Sequence, residues 1–258
     1  MSEKNREGKR TARERLAEER DKQKTADKRR RVLVVGGAIV CVLALAGVIG
    51  VLAANSGDGK ADAEAGPLTA PSGANGDDSL AIPVGKESAK STLTVWEDFR
   101  CPACKSFEDG YRSTVHELTE SGQLKVEYHL ATLIDGNMRG SGSLRAANAA
   151  ACAQDAGKFP AYHDVLFENQ PAETDDAYAQ NSKLIELAGK VDGLTTAPFK
   201  KCVEGGTHDS WVAKSHQAFQ GGGFSGTPTV LLNGKNIYQD QTMTPAKLKQ
   251  LVQQADKA

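Results

Sequence analysis

The chain of 258 residues has one long apolar run, no internal repeat and only five cysteines. Its five histidines (His116, His129, His163, His208, His216) show no metal-ligand spacing, so the pattern offers no metal centre. Gly221–Gly226 is rich in glycine, yet neither a Lys-Ser/Thr pair nor a helix signal follows it, which excludes a phosphate-cradling loop. Aromatic residues are missing from the basic first 31 residues, where Glu3, Glu7, Glu14, Glu18, Glu19, Asp21 and Asp27 interrupt the positive charge. That mixture excludes a nucleic-acid grip and reads as a solvated, lipid-facing tail.

What is present is unevenly distributed. Lysine and arginine crowd residues 1–31 and the remainder is acidic on balance, so the net charge of −1 averages two unlike regions. Val32–Ala54 carries no charge. At 1.5 Å per residue it would make roughly 35 Å of helix, enough to cross a bilayer core. Arg29-Arg30-Arg31 precedes this run and no basic cluster follows it, which places the N-terminus in the cytoplasm and everything after Ala54 outside. The run is longer than the apolar part of a signal peptide, favouring an uncleaved anchor in the cell membrane; Ala61-Asp62-Ala63 keeps cleavage open as the alternative. Cys41 lies within the span and reads as a small apolar side chain. Residues 55–78 (Gly, Ala, Asp, Ser, Pro) have almost nothing to bury and read as a flexible linker.

Residues 79–258 suffice for one domain with a sizeable core. Leu93 and Val95 alternate as a strand; Phe107, Tyr111, Val115 and Leu118 recur at helical spacing; Leu124, Val126, Tyr128 and Leu130 alternate again. Strand–helix–strand of this kind predicts a βαβ unit with a parallel pair. Helix-like segments without a strand signal fill about 140–220: Ser143–Gln154, Tyr162–Asn169, Ser182–Val191 and Ala197–Val203. A strand then returns at Thr227–Leu232, with Asn233-Gly234 as hairpin turn and Lys235–Tyr238 as return strand. Thr244 and Pro245 open a last helix.

Cys101-Pro102-Ala103-Cys104 stands between the first strand and the first helix. Unpaired backbone N–H groups and the helix dipole there favour a thiolate at Cys101, and a second cysteine one turn on can release it from a mixed disulfide. Pro102 falls in the first helical turn, where a missing N–H costs nothing. Two other readings of the pair are a purely structural vicinal pair and half of a zinc site shared with Cys152 and Cys202; structural zinc takes two short-spaced pairs, and these two stand far apart. Glu97 and Asp98, just before the motif, are read as solvated acids at a strand end rather than catalytic groups, with relay of a proton from Cys104 by one of them as the other reading, and His163 as a residue that packs or hydrogen-bonds locally.

The order of these elements resembles a thioredoxin-like α/β fold with an inserted α-helical subdomain. Val95–Glu108, Ala151–Phe167 and Ser225–Val230 resemble the active-site signature, the insert and the substrate-binding loop of DsbA-like thiol–disulfide oxidoreductases, especially the membrane-anchored ones of Gram-positive bacteria. The resemblance runs from about Leu93 to the C-terminus. It implies a protein thiol–disulfide oxidoreductase that needs no cofactor, with Cys101 and Cys104 catalytic, and Pro102 and Ala103 in the active-site loop. It also implies a cis bond before Pro228 that faces the dithiol and exposes the Thr227 backbone to an extended substrate; an ordinary edge-strand proline is the other reading. The implied partners are secreted or surface proteins with cysteines, and a membrane redox protein that re-oxidises the dithiol. Ala103 departs from the family's strong oxidants, which carry histidine there, and this weakens the case for a strongly oxidising potential. Cys152 and Cys202 share the insert and an oxidising compartment, so a structural disulfide is expected, with two free buried thiols as the alternative. Net oxidation is the expected direction; isomerase or reductase activity, a redox-inactive peptide-binding module and a copper-handling module are the competing functions.

Overall fold

The computed structural model describes residues 68–257. The basic head, the apolar run Val32–Ala54 and the first part of the linker lie outside the described residues, among which no helix is long and apolar enough to cross a membrane.

Five strands form one sheet: β1 (Ile82–Gly85), β2 (Ser91–Glu97), β3 (Leu124–Leu130), β4 (Thr229–Leu232) and β5 (Lys235–Asn236), in the order β1-β3-β2-β4-β5. The predicted parallel pair is β2 with β3, in register from Ser91↔Leu124 to Glu97↔Leu130; the other pairs are antiparallel. Eight helices are described: α1 (Pro102–Glu120), α2 (Leu133–Met138), α3 (Gly142–Asp155), α4 (Phe159–Glu168), α5 (Asn181–Ala188), α6 (Ala197–Gly205), α7 (Asp209–Gly221) and α8 (Pro245–Lys257). The helical insert between β3 and β4 therefore runs from α2 through α7.

Side chains of β2 alternate between the two sheet faces. Leu93 and Val95 join the main core with Phe107, Leu118, Val126 and Tyr128, beneath α1. Trp96, out of step with them, packs on the other face against Ala131 and Phe219 of α7, and stacks on His129 at 4.0 Å. The hairpin expectation holds at its turn, where Asn233 and Gly234 adopt φ of 50° and 80°. Thr244 Oγ1 accepts from Lys247 N–H and caps α8.

Three features were not anticipated. β1 is a four-residue strand that contains Pro83 and pairs only with β3, as suits a proline-bearing edge. α2 and α7 were not read as helices; α2 is only six residues, and α7 mixes Ser, Lys, His and Gln among its buried Trp211, Val212 and Phe219. Residues 69–78, whose composition reads as linker, lie on the insert: Ser72 N–H donates to Asp155, Gln154 donates to the Ser72 carbonyl, and His208 Nδ1 meets the Thr69 carbonyl at 2.8 Å.

Candidate active site

Cys101 is the N-cap of α1 and Pro102 its first helical residue, as the sequence predicts. The Cys101 residue is 6% exposed and Cys104, one turn in, 1%. Their acidities diverge. The Cys101 thiol is lowered from 9.0 to about 6, chiefly by a hydrogen bond from Cys104; burial opposes this, and Thr227 and the N–H groups of Cys104 and Ala103 assist. The Cys104 thiol is pushed well above the ordinary value, first by burial and then by its neighbour's sulfur; the Glu97 carboxylate adds to this. Pro102 is exposed, and the half-buried Ala103 packs on the main core, placing no charged group beside the sulfurs.

Thr227, two residues before β4, meets Cys101. Its bond to Pro228 is cis, and the Cys101 sulfur donates to its carbonyl at 3.3 Å. A carbonyl can only accept, so this contact belongs to the thiol form. The Thr227 hydroxyl is buried with no hydrogen-bond partner, and Thr227 lowers the Cys101 pKa, so this O–H is a group that could donate to a thiolate there. This hydroxyl is a contribution the sequence reading missed, having considered only the backbone of Thr227.

The insert holds the loop in place. The Gln170 amide donates to the carbonyls of Phe99 and Cys101, at 2.9 and 3.0 Å. The Arg100 guanidinium, 1% exposed, pairs with Asp135 and Asp176 at 2.7 Å each and donates to the Glu173 carbonyl. These anchors come from residues 35 to 76 positions after the ones they hold, with no local sequence signal. Cys152 of α3 and Cys202 of α6 are joined by a disulfide. They are therefore unavailable as thiolate ligands, which removes the zinc reading that needed them.

One expectation is overturned at the end of β2. Glu97 and Asp98 are each 1% exposed rather than solvated. Asp98 accepts from the N–H groups of Arg100 and Ile134, and burial raises its pKa to about 7. Glu97 Oε1 lies 2.9 Å from His163 Nε2, so the local hydrogen bond expected of His163 reaches back 66 residues to the strand. Donor atoms of Glu97, Glu108 and His163 lie within 4.8 Å of one another. They act on each other: burial lifts Glu108 to about 7, and the surrounding carboxylates outweigh burial at His163 and hold its pKa up at about 10.

Beside the dithiol, Phe107, Tyr111, Ile237, Tyr238 and Met243 line a cleft of about 270 Å³. Tyr238 is 42% exposed and close enough to feel the charge of both sulfurs. Such an arrangement can do thiol–disulfide exchange: an acidic thiol at a helix N-terminus, a more deeply buried partner thiol one turn away, and an apolar shelf alongside.

The fold and site define a thioredoxin-like dithiol protein, and comparison with known proteins narrows the class. A family model described as Thioredoxin matches residues 78–254. The chain is 28% identical over 157 residues to disulfide bond formation protein D of Bacillus subtilis, covering 60% of this chain and 68% of the relative. Among solved structures it is similar to the reduced disulfide bond oxidoreductase DsbG of Mycobacterium tuberculosis, with 28% identity, a TM-score of 0.61, and coverage of 72% and 90% of the two chains. Reduced DsbA of the same organism is similar at 27% identity and a TM-score of 0.60, covering 69% of this chain and 93% of that one. The chain belongs to the thioredoxin family and is a DsbA-like thiol–disulfide oxidoreductase.

Proposed function

We propose that this protein is a membrane-tethered, extracytoplasmic oxidase that passes the Cys101–Cys104 disulfide to cysteine-bearing secreted or surface proteins. Cys101 is the sulfur attacked by the client, and Cys104 is the leaving and resolving thiol. The observation that carries this reading is the split in acidity: Cys101 lowered to about 6 beside a Cys104 pushed well up. A stabilised Cys101 thiolate favours the reduced enzyme, and so makes the disulfide a better oxidant. The name of the Bacillus relative, disulfide bond formation protein D, supports the same direction. The half-buried Thr227 beside the dithiol and the Tyr238 cleft suit an extended client segment. Re-oxidation falls to a membrane redox partner, and the charge-free run Val32–Ala54 behind Arg29–Arg31 supplies the anchor.

Cys104→Ser should trap mixed disulfides between Cys101 and clients, seen as high-mass species that collapse on reduction. Trapping by Cys101→Ser instead would reverse the roles. A reductase or isomerase reading draws on Ala103, which brings no charged donor to the sulfur. Equilibration with glutathione decides between them: a potential near thioredoxin's, about −270 mV, supports reduction.

A further inference from the structure

Trp96 lies on the sheet face that does not carry the main core, and the space beside it is no part of the dithiol site. There β2, β3, the segment before β1 and the end of α7 border a cavity of about 420 Å³, within the range of small-ligand pockets. Trp96, His129 and Phe224 give it aromatic walls, and Asp77 and Glu127 bring carboxylates to it. Among the described residues no lysine or arginine lines it. Lys125 pairs with Glu127 at 3.1 Å, yet the same ammonium also serves Glu87 at 3.1 Å. Lys214 of α7 pairs with Asp78, the neighbour of Asp77. The cavity therefore holds carboxylate charge in excess of the cations around it.

His129 adds an unmade bond. It is 8% exposed and stacks on Trp96 at 4.0 Å, and its Nδ1 is buried with no hydrogen-bond partner. The Leu80 carbonyl accepts from the other side of the ring, and burial brings the pKa down to about 4. At neutral pH the ring is uncharged, so Nδ1 is a free acceptor. Gly76, on the cavity rim, faces this edge of the ring: a Cβ there would stand 4.0 Å from Cε1, the carbon bonded to Nδ1. A buried acceptor without a donor is a standing penalty that an N–H of a ligand would relieve.

Carboxylates, a bare acceptor and flat aromatic walls together ask for a planar cation with several N–H donors. An ammonium answers the charge but not the flat walls, and a neutral ring leaves the carboxylates unmet. A guanidinium answers all three, being planar, always charged and a donor along its whole edge. We propose that this cavity is a guanidinium-binding site, filled by an arginine side chain of a bound polypeptide or by a small guanidinium compound. It stands apart from the redox reading, and neither reading depends on the other.

The probe is Nα-acetyl-arginine amide, titrated against the full chain and followed by ligand-observed NMR. Saturable binding with a Kd below about 5 mM is expected. The citrulline analogue keeps the shape and loses the charge; the lysine analogue keeps the charge and loses the planar fork. Each should bind at least about fivefold more weakly. Asp77→Asn, at an exposed position, should weaken binding of the arginine amide about two- to fivefold, the scale of an exposed ion pair. Phe224→Leu, which removes an aromatic wall, should do so by a similar factor of about two to five. Unfolding midpoints without the probe check that both variants are folded; should Phe224→Leu unfold, Asp77→Asn decides. An acetylated pentapeptide with a central arginine separates the two sources. Affinity equal to the amide's or tighter marks a polypeptide side chain, and loss of binding marks a small free compound. No saturation by the amide, equal affinity for the lysine analogue, or wild-type affinity in the folded variants overturns the site.

Discussion

Thr227 offers Cys101 two polar groups, a carbonyl in contact with the sulfur and a buried, unpartnered hydroxyl, and they favour opposite protonation states. The carbonyl accepts from the thiol; the hydroxyl donates to the thiolate. Thr227→Val keeps the first and removes the second. A hydrogen bond to a charged group contributes about 1.5–3 kcal/mol, so the thiolate–thiol equilibrium of Cys101 should move at least about tenfold toward the thiol. Thiolate absorbance against pH measures this directly, and an unchanged titration would show that the hydroxyl does not serve the sulfur. The same acidity has a consequence for stability. The folded reduced protein holds Cys101 at about 6, below the 9.0 of an unperturbed thiol. Between these values the unfolded chain binds more protons, so stability rises with pH. The contribution is complete above 9.0 and is lost as pH falls through about 6. His163, held up at about 10, loses its own contribution over much of the same range, so the readout is the difference: the gap in denaturant midpoint between the reduced protein and reduced Cys101→Ala should grow across this window.

At the level of elements, the insert acts as a clamp on the active-site loop rather than as an appendage. Gln170 and the Arg100 partners tie its inner edge to the residues around Cys101. The Cys152–Cys202 disulfide fastens α3 to α6 across a separation of 50 residues. A loop of that length corresponds to about 4 kcal/mol in the chain-entropy account. The double variant Cys152→Ala/Cys202→Ala should lose about 2–5 kcal/mol in denaturant unfolding without reductant. Its Cys101–Cys104 dithiol should still react while folded, because the disulfide lies apart from the loop's own hydrogen bonds. A variant as stable as the wild type would show that helix packing alone holds the insert.

For the whole molecule, the proposed arrangement is a cytoplasmic basic head, a single membrane anchor and an outer catalytic domain. Protease added outside intact cells should digest the linker and domain and leave a fragment ending near Asn55 protected. Labelling of Lys4 or Lys9 from outside would reverse the orientation. The features legible in the chain were those written in neighbouring residues. The dithiol at a helix start, the Asn233-Gly234 turn, the Thr244 cap and the parallel pairing of β2 with β3 each follow from short-range spacing and turn chemistry. Only the tertiary structure decided what surrounds the sulfurs. Glu97 and Asp98 look like solvated acids until the insert covers them, and His163 has no role until folding carries it to Glu97. The acidity of each thiol depends on burial and on charges brought from distant segments, and neither quantity is encoded by local periodicity.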